Sequence, residues 1–97
     1  MEVHFDLNGL PFVWNEDKAK RNAAKHGIEF TAAAEVFFDP FFSLVDASRN
    51  DEARDALIGR DARGRVLFVV HVEIEDEYIR IISARRATRE ELKRHDS

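Results

Sequence analysis

The stretch RVLFVVHVEIEDEYIRIISARR, residues 65–86, decides the fold. It holds two runs rich in Val, Ile and aromatic residues, about Arg65–Ile74 and Tyr78–Arg86, parted by the acidic Glu75-Asp76-Glu77. Such residues favour a pleated, half-buried surface, and a short polar gap between them suits a hairpin. Just upstream, about Arg54–Arg60 forms a third run, joined through Asp61-Ala62-Arg63-Gly64. Both connections are short, so the three runs predict an antiparallel meander.

Working outward, Phe12-Val13-Trp14 predicts a short strand. Asn15 then stands as a helix N-cap, with Glu16 and Asp17 in the first turn, where the helix dipole favours acids. Trp14 and Ala19 form a small hydrophobic staple, Lys25 and His26 fill the last turn, and Gly27 ends the helix. Thr31 is the expected cap of a second helix, whose apolar face is Ala33, Ala34, Val36, Phe37 and Phe38. Asp39-Pro40 stops it, because a residue before proline avoids the helical region. Phe41–Val45 predicts a strand and Asp46–Asp51 a polar connection. Thr88 with Glu91 is a capping-box pair opening a last helix that runs to about Arg94. His4 falls in a frayed N-terminus and receives no role. The expected fold is α+β: an antiparallel meander, two N-terminal helices packed on one face, and a short C-terminal helix. The 97 residues make a single domain, 1–97.

Hydrophobic residues make up 44% and charged ones 35%, enough for a core inside a soluble surface. There is no cysteine, no signal-peptide pattern at Met1-Glu2-Val3-His4-Phe5-Asp6, and no apolar run long enough to span a bilayer. A cytoplasmic protein with no membrane association is expected. The net charge of −4 argues against a general polyanion binder, but the charge is uneven. From Tyr78 to His95, six basic residues stand against Glu90 and Glu91, a balance of +4 that leaves −8 on the remainder. A local basic patch fits nucleic acid, phosphate or an acidic partner. A merely solvated helix end is the bland alternative, weakened because the arginines begin inside a strand.

Loop length sets which residues face each other across a sheet. With Arg60 opposite Arg65 and Ile74 opposite Glu77, Leu57, Val66, Phe68, Val70, Val72, Ile79 and Ile81 share the face under the helices. The other face carries an apolar centre of Ile58, Leu67, Val69 and Ile82 between two polar rows: Arg54, His71 and Arg80 in one, Arg60, Arg65 and Arg86 in the other. Like charges opposite one another destabilise a sheet unless an acid or a ligand neutralises them. A one-residue bulge would scramble the rows.

The residues now resemble a known family. Phe12-Val13-Trp14-Asn15, Lys25-His26-Gly27-Ile28-Glu29-Phe30, Ala34-Glu35-Val36-Phe37 with Asp39-Pro40, Ile58-Gly59-Arg60, Gly64-Arg65-Val66-Leu67 and, most specifically, Ile79-Arg80-Ile81-Ile82-Ser83-Ala84-Arg85-Arg86-Ala87-Thr88 are similar to the BrnT toxins. The resemblance covers Phe12 to His95. It implies a RelE-like fold and an RNA endonuclease that slows translation. It also implies a BrnA-like antitoxin of ribbon-helix-helix type, with two toxins and two antitoxins in the complex. Arg54, Arg80, Arg85 and Arg86 match arginines of the family. His71 and His95 stand where tyrosine is usual, and Ala53 where an acid is common.

The expected chemistry is attack of a ribose 2′-OH on the adjacent phosphorus, with neither metal nor cofactor. Arg54, Arg80 and Arg86 would clamp the phosphate, because the guanidinium fork matches its oxygens. His71 is the expected acid or base, and His95 a second candidate if the last helix folds over the cleft. Lys25, Arg60, Arg65, Arg85 and His95 complete the expected RNA-binding set, with single-stranded RNA as substrate. His26 reads as a helix-end residue and Trp14 as core. The competing reading is a non-catalytic module, a degenerate toxin that only holds an antitoxin. A DNA-binding protein is a weaker third, for want of a recognition helix.

Overall fold

The N-terminus is a strand. In the computed structural model, which describes residues 1–96, β1 (Glu2–Leu7) pairs antiparallel with β2 (Leu10–Asn15). Val3, Phe5 and Leu7 alternate inward onto the core. The turn between the strands is Asn8-Gly9, with φ of 50° and 85°, and Asp6 Oδ1 accepts the Gly9 N–H at 3.0 Å. Asn-Gly between alternating strands is a strong hairpin signal, and it overturns the expected frayed end.

After α1 (Glu16–His26) come α2 (Phe30–Glu35), a 3₁₀ turn over Val36–Phe38, β3 (Ser43–Asp46), β4 (Asp55–Arg60), β5 (Val66–Ile74), β6 (Tyr78–Arg86) and α3 (Arg89–Asp96). The strands form one six-stranded sheet in the order β1-β2-β6-β5-β4-β3. β2 runs parallel to β6, so the sheet is mixed rather than a pure antiparallel meander. Helices α1 and α2, following β2, supply the crossover that a parallel neighbour requires.

Local signals set most boundaries. Asn15 accepts the Lys18 N–H at 3.0 Å, and Gly27 closes α1 in the left-handed conformation at φ 70°. The second helix starts earlier than expected: Glu29 occupies the cap position without a side-chain bond, and Thr31 lies inside the helix. The cause is Phe30, whose burial at 2% exposure draws it into the first turn. Asp39 leaves the helical region before Pro40 and then holds a turn, accepting the Phe41 N–H at its carboxylate and the Phe42 N–H at its carbonyl. That turn delays β3 to Ser43.

The core lies between one face of the sheet and α1, α2 and the 3₁₀ turn. Phe12 meets Phe37 edge-on at 5.1 Å, and Trp14 meets Phe30 at 5.8 Å. Leu57, Leu67, Val69, Ile79, Ile81 and Ala84 complete the sheet side. Asn22 ties α1 to β6: its amide donates to the carbonyls of Ala84 and Ile28, and its oxygen accepts the Ala84 N–H.

The register differs from the expected one by a single residue on both sides of β5. Ile58 faces Phe68, Asp55 faces His71 and Val72 faces Arg80. A one-residue slip turns every side chain of a strand over. Leu67, Val69 and His71 therefore enter the core face, and Val66, Phe68, Val70 and Val72 take the other, the reverse of the expected assignment. A bulge at Val70/His71 then lets β6 run one residue long, since His71 faces Ile81 while Val70 faces Ser83. Past it the alternation of β6 is inverted. Arg85 joins Phe68, and Arg86 joins Leu67 on the core side.

Candidate nucleic-acid interface

The face away from the core gathers Arg54, Arg60, Arg80 and Arg85 around Ala56, Ile58, Phe68, Val70 and Val72. The slip moved β5 alone, so its neighbours kept their relation to each other. Arg54 sits just before β4, and its carbonyl accepts the Ala47 N–H at 2.9 Å, continuing the β3–β4 ladder. The same register carried on places it opposite Val72. Arg80 faces Val72 from the other side and pairs across with Val13 of β2, which in turn faces His4 of β1. One row thus runs Arg54, Val72, Arg80, Val13, His4. The expected row had His71 where Val72 stands.

A second row runs Ser43, Ile58, Phe68, Arg85. Helix α3 lies against it. Glu91 takes Arg85 in a two-pronged ion pair at 2.8 and 2.9 Å, which lowers the carboxyl and raises the guanidinium from their ordinary pKa values. The Arg85 guanidinium also stacks 4.3 Å above the Phe68 ring, a cation–π contact. At the far end of the helix, His95 Nδ1 lies 2.8 Å from Ser43 Oγ. Thr88 and Glu91 form the reciprocal capping bonds that start the helix.

Each guanidinium of Arg54, Arg80 and Arg85 leans on a carboxylate: Arg54 on Glu52 at 2.7 Å, Arg80 on Glu2, Arg85 on Glu91. The Arg80 bond holds the Glu2 carboxyl below its ordinary pKa. Glu52 and Glu2 are exposed, and such pairs contribute little, so a phosphate oxygen can replace either acid. Arg60 donates to the Gly64 carbonyl at 3.2 Å.

The other expected site residues lie elsewhere. His71 is 4% exposed, edge-on to Phe37 at 4.8 Å, with Nδ1 3.2 Å from the Val69 carbonyl. Burial, opposed by that bond and by Asp55 and Glu73, holds its pKa down. It is on the opposite side of the sheet from Arg80. Arg65 is committed to Asp61, buried at 6% exposure, whose oxygens also take the Arg63 and Arg65 N–H groups of the β4–β5 loop. Arg86 is exposed and has no acidic partner among the described residues. Lys25 is exposed on α1, one turn beyond Asn22. His4, set aside in the sequence, and Glu2 join the arginine face through β1. Their signal was the Asn8-Gly9 turn behind alternating Val3, Phe5 and Leu7.

Among the described residues no group of three or more His, Cys, Asp or Glu is arranged to hold a metal ion, and no helix is long and apolar enough to cross a membrane. These features define a small α+β domain with arginines gathered on one face of its sheet. No curated protein matches the chain. Residues 14–91 match the family described as the ribonuclease toxin BrnT of type II toxin–antitoxin systems, and the chain belongs to that family. Membership places it among toxins that act on RNA and work with an antitoxin partner.

Proposed function

We infer that the protein is a metal-independent endoribonuclease that inhibits translation and is neutralised by a BrnA-like antitoxin in a two-by-two complex. Family membership carries the reading, and the row Arg54–Val72–Arg80–Val13–His4 supplies its chemistry. Arg54 and Arg80 flank the scissile phosphate and stabilise the charge that grows on its oxygens. His4, the histidine of that row, takes the proton of the ribose 2′-OH. The 2′-oxygen bonds to phosphorus and the bond to the 5′-oxygen breaks. That oxygen takes a proton from water, leaving a 2′,3′-cyclic phosphate and a 5′-hydroxyl. Val70 and Val72 offer an apolar floor for unstacked bases. Arg60, Arg85 and His95 hold the strand beyond the cut, and Arg86 with Lys25 meets RNA passing the sheet's end. His71 supports the core beneath Phe37 rather than the reaction.

The test is RNA cleavage in chelator, with growth arrest on induction, at matched soluble levels. Arg80→Ala and Arg54→Ala are expected to lose about a hundredfold or more, and His4→Gln about 10²–10⁴-fold. His71→Gln is expected to keep activity in proportion to its folded fraction. An intact RNA pool with the wild type would sink the catalytic reading. The non-catalytic module would then stand, favoured by the carboxylate already held by Arg54, Arg80 and Arg85.

A further inference from the structure

Four large apolar side chains crowd into one short exposed segment: Phe38, Phe41, Phe42 and Leu44, from 42% to 80% exposed. Single exposed apolar residues are ordinary, but a cluster marks a contact surface. The segment runs into β3, the free edge of the sheet, which carries neither the lysine nor the proline that would discourage an added strand. On the core side of that edge, Phe42 and Leu44 border a shallow cavity of about 170 Å³, floored by Leu57 and His71 and walled by Phe37.

The rim of this cavity is acidic. Asp55 and Glu73 line it, and Asp46 stands directly opposite Asp55 in the ladder. Like charges so placed destabilise a sheet. Among the described residues none of the three has a cationic partner. Nor do they converge as metal ligands. Asp46 accepts the Ser48 N–H at 2.8 Å, but among the described residues no ion pair balances the three carboxylates, and an apolar floor with such a rim fits an apolar segment that brings its own cation.

We propose that the β3 edge is the docking surface for an extended segment of the antitoxin, which adds as a seventh strand, sets apolar side chains on Phe42 and Leu44, and brings a lysine or arginine to Asp46, Asp55 and Glu73. Backbone bonds along the edge give affinity, and the cavity with its charges gives specificity. A second copy of this chain fits worse, since pairing β3 with β3 brings another Asp46 to an acidic rim. Alternate side chains of the added strand emerge on the arginine face beside Ser43 and Val45, at the border of the RNA surface. The proposal rests on the family reading for the partner's existence, and not on the ribonuclease chemistry.

The test is titration of the full chain with its cognate antitoxin, with hydrogen exchange read at residues 43–46. Leu44→Lys and the pair Asp55→Lys with Glu73→Lys are each expected to weaken binding at least about tenfold while thermal unfolding stays cooperative. Lys20→Ala on α1 is expected to bind as the wild type does. Exchange at 43–46 slows in the complex. Wild-type affinity in both charge variants, or unchanged exchange, overturns the surface alone. A wild type that binds no antitoxin removes the partner itself. A free wild-type dimer that Leu44→Lys converts to monomer gives the edge to a second copy and overturns the assignment.

Discussion

Burial of His71 against Phe37 lowers its pKa, and this makes stability depend on pH. Its folded pKa lies below the ordinary 6.5, so the unfolded chain binds the proton more readily. The contribution is full above about 6.5 and is lost as pH falls through the folded value. Urea midpoints are expected to drop between about pH 8 and pH 5, and His71→Gln is expected to flatten part of that drop. An equal drop in the variant would mean that other groups carry it. The depressed carboxyls of Glu2 and Glu91 lose their contributions only at lower pH. At this scale the capping residues were legible in the sequence, because Asn15, Gly27, Thr88 and Glu91 answer to partners a few residues away. The face taken by His71 was not, because it depends on the strands on either side.

At the scale of elements, α3 has least to hold it: eight residues, none buried, fixed by a capping box and by contacts of Glu91 and His95. Thr88→Ala is expected to remove about 1 kcal/mol from this helix. Hydrogen exchange should then speed up from Leu92 onward, while the amides of β5 and β6 keep their protection. Exchange rising evenly through the sheet would show that α3 is integral to the cooperative unit. Strand positions were legible from β-branched runs and polar gaps, with β4, β5 and β6 falling within a residue of expectation. Their register was not. Each connection accommodated one more residue than the tightest pairing, and the unbroken apolar run Val66–Val70 of β5 made either face acceptable.

The whole molecule carries −4, so contact with RNA rests on the arginines gathered on one side, Arg54, Arg60, Arg80 and Arg85. RNA binding should therefore weaken steeply with salt, as released counterions cease to drive it. Arg60→Ala is expected to lower affinity and to reduce the slope of log affinity against log salt by about 0.7, the value for one contact to a single strand. An unchanged slope would place Arg60 outside the RNA path.

By itself the sequence determined the elements from β2 onward and their order, the caps of α1 and α3, and the family, because each is a matter of local pattern or of motifs kept in line. It also determined that arginines would gather on a sheet face, since Arg54 and Arg80 lie on strands flanking the same neighbour. Tertiary structure decided which residue stands between them, through the one-residue slip of β5 that seats Val72 there and sends His71 into the core. It decided that Arg85 rather than Arg86 turns to that face, through the bulge in β6. It also brought β1 and His4 alongside, through the parallel pairing of β2 with β6. The physical reason is common to all three. A strand's register is a balance over every neighbour at once, and no single stretch of chain contains that balance.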